Sequence, residues 1–392
     1  MKNRKKVTIW LIAIIFLLSG CNRDEKGNMP TNEYKINAWD RANADVCSAD
    51  EGYYVFCDDF LYTINETTVT PLCNKADCNH KNEDCNAYLK GAQDYTIWYD
   101  GNHIYVVGGK GGNTYSVYEI KKDGSGSKKL CDLFEAAGYG GTGIMCSYKD
   151  GYAYYRISLQ KMEDIKTGKI TDRLYRIRLE AGAKPELIYE NQDDENVMTV
   201  ITSIYFYEKD VYVGISTYAL DNGERNSSKL YRYSTTEDTF EPFLDQHAAY
   251  YFIEDNFLWY TSEDGIHKYD LKNNTDEIFN ENPVFCDDMY FDGKYIYLTD
   301  VWYQQQQDEH SDKKNIYVLD INGNQIKTIS VDWTSWILFG DGNKIVVRDY
   351  YATNTDGESG GVDQYYFYDK SQIETEQDEW TCVEIKQIMN VE

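Results

Sequence analysis

The sequence has little proline, little histidine and few stretches with the periodicity of an α-helix. Only 5 prolines and 5 histidines occur among 392 residues, against 37 tyrosines. Apolar residues seldom recur at the three- and four-residue intervals of a helix face, which argues against a helical fold. The histidines have no neighbours that form a recognisable catalytic triad. They are His80, His103, His247, His267 and His310. The residues therefore favour an all-β chain, and a protein without catalytic activity over an enzyme.

Positive charge is also scarce. The chain carries 39 Lys and Arg against 66 Asp and Glu, a formal net charge of −27. Four of the basic residues fall within the first 20 positions, so the remainder has 35 basic and 66 acidic residues and a net charge of −31. Such a field repels a phosphate backbone and an anionic lipid surface alike. We expect a monomer that has no nucleic-acid partner.

A long apolar run occurs at the N-terminus. Basic residues between Lys2 and Lys6 precede the apolar run 7–18, which is the order of a secretion signal. The run is shorter than the roughly 20 apolar residues that a transmembrane helix needs. It ends in Leu18-Ser-Gly-Cys21, which resembles the lipobox of bacterial lipoproteins, and the resemblance implies a lipid on Cys21. The alternative is a plain signal anchor in which Cys21 is incidental.

A lipid on Cys21 predicts a protein held at the cell membrane on its extracellular face. The residues that follow are polar and lack periodicity, so they are expected to be a flexible tether. The negative charge disfavours contact with anionic lipid, which leaves the lipid anchor as the link to the membrane.

Seven similar units follow the tether. Each starts with a short alternating run, usually after an acidic residue and Gly or Asn: Glu51–Phe56, Asp100–Tyr105, Asp150–Tyr155, Lys209–Val213, Asp255–Trp259, Asp292–Tyr297 and Asp341–Val346. A second alternating run comes next: Phe60–Ile64, Tyr115–Ile120, Leu174–Ile177, Leu230–Tyr233, Ile266–Leu271, Ile316–Asp320 and Tyr365–Asp369. Several units add a polar turn and a closing apolar pair, as in Gly323–Ile329.

A repeat of about 40 to 50 residues made only of strands is typical of propeller blades of four strands. Seven units predict a seven-bladed β-propeller, with six or eight blades as alternatives because the first unit is the weakest. A β-sandwich or a pair of β domains is the rival architecture. The predicted organisation is a signal peptide at 1–20, a tether at 21–36 and the propeller at 37–392.

These features resemble the uncharacterised propeller lipoproteins of Gram-positive anaerobes. Their repeat domain is similar to low-density-lipoprotein-receptor-type and TolB-like β-propellers. The resemblance rests on the lipobox, the Asp-Gly starts and the Leu-Tyr-Arg second runs such as Leu230–Arg232. It implies a fold and a location, and it implies no activity.

The most unusual segment contains three cysteines and a histidine in thirteen residues. Cys73, Cys78, His80 and Cys85 carry the thiolate and imidazole groups that zinc prefers. Their spacing differs from the paired Cys-x2-Cys of zinc ribbons, and one residue between Cys78 and His80 requires a turn. A disulfide among the cysteines, or reduced thiols without a metal, are the alternatives. Zinc is thus a possible cofactor, and no other is indicated.

The other cysteines offer two further pairings. Cys47 and Cys57 flank the first run, and Cys131 and Cys146 flank the junction of units two and three, so either pair is positioned to bridge. Because nine cysteines follow Cys21, an odd number, at least one of them is unpaired or binds a metal or another chain.

Aromatic clusters between the runs are candidates for ligand binding. Aromatic faces suit the apolar faces of sugars or the side chains of peptides, and blade-to-blade packing is the alternative role. The candidates are Trp302, Tyr303, Trp333, Trp336, Tyr350 and Tyr351. Two polar insertions, Gln304–Gln307 and Thr353–Gly361, are expected to protrude as loops.

We therefore expect a membrane-anchored, extracytoplasmic propeller that serves as a binding or scaffold module for a protein, peptide or glycan at the cell surface. The alternative is a glycan-active hydrolase or lyase whose carboxylates meet at the channel mouth with shifted pKa values. A structural subunit of an envelope complex, with an extended apolar patch, is a third option.

Overall fold

Strands form nearly all of the regular structure in the computed structural model. The chain divides into the units Met1–Lys35 and Ile36–Glu392, and every described residue belongs to the second. The described residues are 45–57, 59–89, 96–108, 114–161, 170–191, 196–220, 225–244, 251–262, 264–281, 288–299, 313–332, 335–338, 340–355 and 358–386. The predicted signal peptide and tether, including Cys21, lie outside them. Among the described residues no helix has the length and apolar character needed to cross a membrane.

The strands form seven antiparallel sheets of four, each built from strands consecutive in the chain. Blades 1 and 2 contain β1 (Val46–Ser48), β2 (Tyr53–Cys57), β3 (Phe60–Asn65), β4 (Thr68–Pro71), β5 (Thr96–Tyr99), β6 (His103–Gly108), β7 (Thr114–Lys121) and β8 (Ser127–Glu135). Blades 3 and 4 contain β9 (Tyr139–Lys149), β10 (Tyr152–Lys161), β11 (Thr171–Arg178), β12 (Glu186–Glu190), β13 (Val197–Tyr207), β14 (Asp210–Ala219), β15 (Arg225–Ser234) and β16 (Thr239–Leu244).

The remaining three blades follow the same order. Blades 5 and 6 contain β17 (Tyr251–Glu254), β18 (Phe257–Ser262), β19 (Gly265–Asp270), β20 (Thr275–Asn280), β21 (Asp288–Phe291), β22 (Ile296–Thr299), β23 (Lys313–Leu319) and β24 (Gln325–Asp332). Blade 7 contains β25 (Trp336–Ile337), β26 (Lys344–Thr355), β27 (Glu358–Asp369) and β28 (Trp380–Lys386), with a short 3₁₀ helix at Lys370–Gln372 before β28.

The hydrophobic core consists of layers between neighbouring blades. Seven clusters of buried residues occur, and each contains residues of two adjacent blades, including one that joins blade 7 to blade 1. In β2 all five residues are buried, because alternate side chains enter different layers. Val55 packs toward blade 7 and Phe56 toward blade 2. The ring therefore closes, and the prediction of an all-β, seven-bladed propeller is confirmed.

The repeated Asp-Gly motif forms the turn between the first and second strands of a blade. In blade 2, Asp100 accepts hydrogen bonds from the backbone N–H groups of Asn102 and His103, at 2.8 and 2.7 Å. Asp292 and Asp341 accept the equivalent pairs of backbone hydrogen bonds in blades 6 and 7. An aspartate that bonds to the backbone two and three residues on stabilises a tight turn. The motif thus has a structural role.

The two faces of the ring differ in their connections. Because adjacent strands are antiparallel, the turns after the first and third strands of every blade lie at one end of the sheet. We call this end the turn face. The second and fourth strands end at the opposite side of the sheet, where the described residues 72–89 follow β4. The insertion 353–361, expected to be a loop, is mostly paired strand, since Thr353 pairs with Gly360 and Thr355 with Glu358.

The joint between blades 7 and 1 contains a cluster of buried charges. Among the described residues no strand is exchanged between these blades, since each sheet contains four consecutive strands. Arg348 of β26 donates to Asp363 of β27 from Nε at 2.7 Å and Nη2 at 2.6 Å, and its Nη1 donates to Asp45 at the start of blade 1. Tyr365 Oη donates to Asp45 at 3.1 Å, and Cys57 Sγ to Asp363 at 3.0 Å. These side chains therefore link the two ends of the ring.

Candidate metal centre

The segment with the clustered cysteines lies at the outer edge of blade 1. It follows β4, where the Leu72 N–H donates to the Leu61 carbonyl at 2.8 Å, and it returns to β3, where the Leu61 N–H donates to the Ala87 carbonyl at 2.9 Å. Leu72 and Ala87 are buried. The two ends of the segment are thus attached to the same strand, and residues 73–86 form a loop that extends from it.

Hydrogen bonds fasten the base of this loop to blade 2. The Asn74 N–H donates to the Gly124 carbonyl at 3.2 Å, and Asn86 Nδ2 donates to the same carbonyl at 2.8 Å. Asn86 also donates to Asn74 Oδ1 at 3.2 Å. Gly124, in the turn between β7 and β8, has φ +69°, and a Cβ there would lie 3.0 Å from the Cys73 nitrogen. The loop therefore joins two blades at a position where a larger residue than glycine does not fit.

Four potential metal ligands converge at the base of this loop. One atom each from Cys73, Cys78, His80 and Cys85 lies within 4.8 Å of all the others. His80 Nδ1 lies 3.3 Å from Cys85 Sγ. His80 has φ +55°, in the left-handed region, and this turn brings its ring back beside Cys78 despite the single residue between them. Cys85 is buried and the other three are half-buried.

The distances fit a tetrahedral ion. Zinc bonds of about 2.3 Å to sulfur and about 2.0 Å to nitrogen place neighbouring ligand atoms roughly 3.5 to 3.8 Å apart. All the observed separations are at most 4.8 Å, so the donors need to move by about 1 Å to reach this geometry. The cluster is able to hold a metal ion, with three thiolates and one imidazole as ligands.

The thiols differ in how readily they ionise. Burial raises the pKa of Cys73, but hydrogen bonds from the backbone of Lys75 and Asn86 outweigh it, and the pKa of this thiol is lowered overall. Burial raises the pKa of Cys85 to about 12, and the neighbouring thiols add to the increase. Backbone donors therefore stabilise one thiolate, whereas Cys85 requires a nearby cation to ionise at neutral pH.

No disulfide joins the cysteines of the loop, which are free thiols together with Cys131, Cys146 and Cys382. A bridge between Cys47 and Cys57 is excluded, because Cys47 packs in the layer toward blade 2 and Cys57 in the layer toward blade 7. Cys131 and Cys146 share the core between blades 2 and 3, where burial raises their pKa values to about 11 and about 12.

Three residues that hold the loop in place were not predicted from the sequence, namely Asn74, Asn86 and Gly124. A signal for two of them is present, since each cysteine of the segment is followed by asparagine. Asn74 and Asn86 form the base, and Asn79 accepts the Lys81 N–H at 3.2 Å. The contact with Gly124 has no signal in the sequence, because it comes from another blade.

The predicted aromatic ligand-binding residues fall largely outside the described parts of the chain. Trp302, Tyr303 and Trp333 lie in undescribed segments, and Tyr350 and Tyr351 belong to β26 without a described side-chain environment. Trp336, on the first strand of blade 7, is 67% exposed. The structure thus presents one of these six rings to solvent and does not test the others.

His267 is not available as a general base. Its ring is buried in β19, with Nε2 2.9 Å from Asp264 and Nδ1 3.2 Å from Asp276. The Tyr260 ring stacks on it at a centroid distance of 4.6 Å. Both nitrogens therefore face carboxylates on opposite sides of the ring, so the three residues cannot converge on one metal ion, and the arrangement fits a structural role.

Comparison with known proteins supports the fold. No protein-family model and no curated protein matches the chain. Among solved structures, the chain is similar to a prolyl endopeptidase over 99% of its own length and 57% of that chain, with 12% identity and a TM-score of 0.50. It is also similar to TolB from Acinetobacter baumannii, over 86% of its own length and 81% of that chain, with 14% identity and a TM-score of 0.38. A third similar structure is the WD40 domain of SCAP from fission yeast, over 90% of this chain and 89% of that chain, with 11% identity and a TM-score of 0.39. The likeness to the prolyl endopeptidase agrees with the β-propeller fold and concerns the fold alone.

Proposed function

We propose that this chain is a non-catalytic, cell-surface propeller that serves as a binding or scaffold module, with a structural zinc ion in the loop of residues 73–86. The observation that carries the zinc proposal is the convergence of three sulfurs and one imidazole nitrogen within 4.8 Å. Zinc suits this donor set because it prefers thiolate and imidazole in tetrahedral geometry. The ion would fix the loop and, through it, the edge where blades 1 and 2 meet.

The proposed location rests on the N-terminal sequence. The basic residues, the apolar run 7–18 and Leu18-Ser-Gly-Cys21 occur in the order of a lipoprotein signal. We infer a lipid on Cys21 that holds the propeller at the extracellular face of the cell membrane. The net charge of −31 without the first 20 residues, from 35 basic and 66 acidic side chains, supports a module that stands away from anionic lipid.

A binding or scaffold role fits the distribution of connections better than the enzymatic alternative does. The loop of residues 73–86 extends from a ring whose seven layers are packed between blades, and long connections on a rigid frame are common binding elements. A hydrolase or lyase requires an acid and a base positioned in one cleft, and histidine is the side chain that most often serves in this role. His267, Asp264 and Asp276 instead form a closed set that leaves no nitrogen facing a cleft.

Metal content tests the zinc proposal. The full exported chain, purified without chelators, is expected to contain about one zinc per molecule with a sulfur-rich X-ray absorption spectrum. Cys78→Ser removes one ligand and is expected to lower the zinc content severalfold. Cys382→Ser is the matched control, because Cys382 is an exposed thiol on β28, outside the loop.

The competing states of the loop give different results. A disulfide among Cys73, Cys78 and Cys85 would lower the intact mass by about two hydrogens and leave one titratable thiol in the loop. Reduced thiols without metal would react quantitatively with a thiol reagent in the native chain. Either result, with zinc absent from chains produced in zinc-supplemented medium, refutes the structural zinc.

Localisation and binding are tested separately. Cys21→Ala is expected to release the chain from the membrane fraction, and a lipid-modified N-terminal peptide should be found by mass spectrometry only in the wild type. An array of glycans and peptides tests the binding role. Turnover of a cell-wall polymer that is lost on a single carboxylate substitution would overturn the binding role in favour of the enzyme.

A further inference from the structure

A groove lies between blades 3 and 4 on the turn face. It has a volume of about 390 Å³, which is near the lower end of small-molecule sites. The turn after β9 and the turn after β13 form its rims, and β11 contributes to its wall. All of its lining residues belong to the described part of the chain. It is separate from the loop of residues 73–86, which joins blades 1 and 2.

One wall of the groove is aromatic. The rings of Tyr154 and Phe206 pack edge to face with centroids 5.3 Å apart, and Tyr152 adds a third ring 6.3 Å from Tyr154. Tyr154 and Phe206 are buried in the layer between the blades, whereas Tyr152 is half-buried. Because the layer holds these rings in place, the half-buried Tyr152 and the exposed edge of Tyr154 offer a rigid apolar surface against which the C–H face of a flat ligand can pack.

The groove also gathers three cations in a strongly acidic chain. Arg176 is held by Glu186, with Nε donating at 2.6 Å. Lys149 and Lys209 also line the groove, and the Lys149 Nζ lies 5.9 Å from the Phe206 centroid. Within the described residues neither lysine forms an ion pair, although acidic residues outnumber basic ones by 66 to 39 across the chain. Two ammonium groups are thus available to an anionic ligand.

Carboxylates complete the rim. Asp150, Glu208 and Asp210 lie in or beside the two turns, and Asp210 is 3.9 Å from Arg232. Carboxylates accept hydrogen bonds from hydroxyl groups but repel an anion. A ligand that satisfies the whole site therefore carries several hydroxyls, an apolar face and a localised negative charge. A sugar ring with an anionic substituent has all three.

We propose that this groove binds a saccharide of one or two rings that bears a carboxylate or a phosphate. The apolar face of the sugar packs against Tyr152 and Tyr154, its anionic group contacts Lys149 and Lys209, and its hydroxyls donate to the rim carboxylates. This inference rests on the proposed binding role and identifies the ligand class for it.

Calorimetric titration of the full exported chain tests the site. The probes are a digalacturonate for the carboxylate and mannose 6-phosphate for the phosphate, with lactose as the neutral control. Binding of either anionic sugar, and weaker or no binding of lactose, is expected. The probe that binds identifies the anionic group, and its affinity should fall as salt is raised.

Substitutions locate the binding. The double variant Lys149→Gln, Lys209→Gln is expected to bind the anionic sugar roughly tenfold or more weakly, because charge-assisted hydrogen bonds are lost. Lys272→Gln is the matched control, since Lys272 is an exposed lysine of the turn face in blade 5. Tyr152→Ala should weaken binding of the anionic sugar without changing how steeply its affinity falls with salt, because the substitution removes an apolar contact and no charge.

Two results overturn the proposal: no binding of either anionic sugar, or binding that the double lysine variant leaves unchanged. If neither anionic sugar binds but another glycan or a peptide does, the groove proposal is refuted and the binding role is kept. A chain that binds nothing on the array refutes both.

Discussion

Replacement of Arg348 by methionine tests whether buried charges hold the ring closed. Arg348 contacts two carboxylates, that of Asp45 in blade 1 and that of Asp363 in its own blade. The side chain of Asp45 is 6% exposed and that of Asp363 is 0% exposed. In the variant, water cannot replace the guanidinium without opening the joint, so the two carboxylates remain buried without a cation.

The expected loss of stability is large. Removal of one partner from a buried ion pair costs about 3 to 5 kcal/mol. The lower end applies, because 24% of the Arg348 side chain is exposed and water screens part of the interaction. With an unfolding entropy of about 2 cal/mol/K per residue over about 350 residues, a loss of about 3 kcal/mol lowers Tm by roughly 4 °C.

Differential scanning calorimetry measures this difference, with Arg178→Met as the matched control. Arg178 forms an ion pair with Glu180 at 3.3 Å, and both side chains are more than half exposed, so this pair contributes at most about 1 kcal/mol. Addition of Asp45→Asn to Arg348→Met removes one unpaired charge and should recover part of the loss. A variant at position 348 that unfolds within 1 °C of the control would refute the reasoning.

The loss of stability in Arg348→Met should also depend on pH. Burial raises the pKa of Asp45, and Arg348 and the hydrogen bond from Tyr365 oppose this increase. Without Arg348, the pKa of Asp45 rises further above its value in the unfolded chain. The folded variant then binds a proton more tightly than the unfolded one, so it gains stability as pH falls and loses it as pH rises through the folded pKa. The difference in Tm between the variant and the wild type should be smaller at pH 5 than at pH 7.5. A difference that increases on acidification contradicts an unpaired Asp45 carboxylate in the variant.

Two further predictions concern single positions. A Cβ at Gly214 would lie 1.7 Å from the Tyr251 hydroxyl, so Gly214→Ala should lower the free energy of unfolding, measured by urea denaturation, by about 1 to 3 kcal/mol. Gly143→Ala is the control, because a Cβ there has no heavy atom within 4 Å, and it should change this free energy by less than about 0.5 kcal/mol. Equal effects of the two substitutions would contradict the packing. The Lys344 ammonium and Ser371 lower the pKa of Asp369 to about 2, so its contribution to stability is present above about pH 4 and is lost as pH falls to about 2. Carboxyl NMR should give a midpoint near 2, and an ordinary midpoint near 4 would show that the contact with Lys344 does not persist in solution.

The sequence predicted the middle of each blade better than its edges. The alternating runs that begin at Asp100 and Asp292 lead into second strands, because an aspartate turn and a strand buried on both faces leave a strong local pattern. Two of the first strands are very short. β1 has three residues and β25 has two, too few for alternation to stand out, so the predicted units began one strand late.

The two candidate sites differ in how much of them the sequence could predict. The four ligands of the metal centre fall within thirteen residues, so their types indicated the chemistry, but their convergence depends on the left-handed turn at His80 and on Gly124 of another blade. The groove was not predicted. Lys149 and Lys209 are 60 positions apart in the sequence, and only the packing of blades 3 and 4 places them together.

The joint between blades 7 and 1 has a consequence for how the chain folds. Contacts within a blade are short in sequence, whereas Asp45 and Arg348 are 303 residues apart. Closing a flexible loop of that length costs about 5 kcal/mol of chain entropy, an upper bound once successive blades have stacked. Since contacts distant in sequence form late, this joint is expected to close last, after blade 7 has been synthesised. It should also be the first to open, so amide hydrogen exchange should be fastest on the two sides of this joint among the seven interfaces.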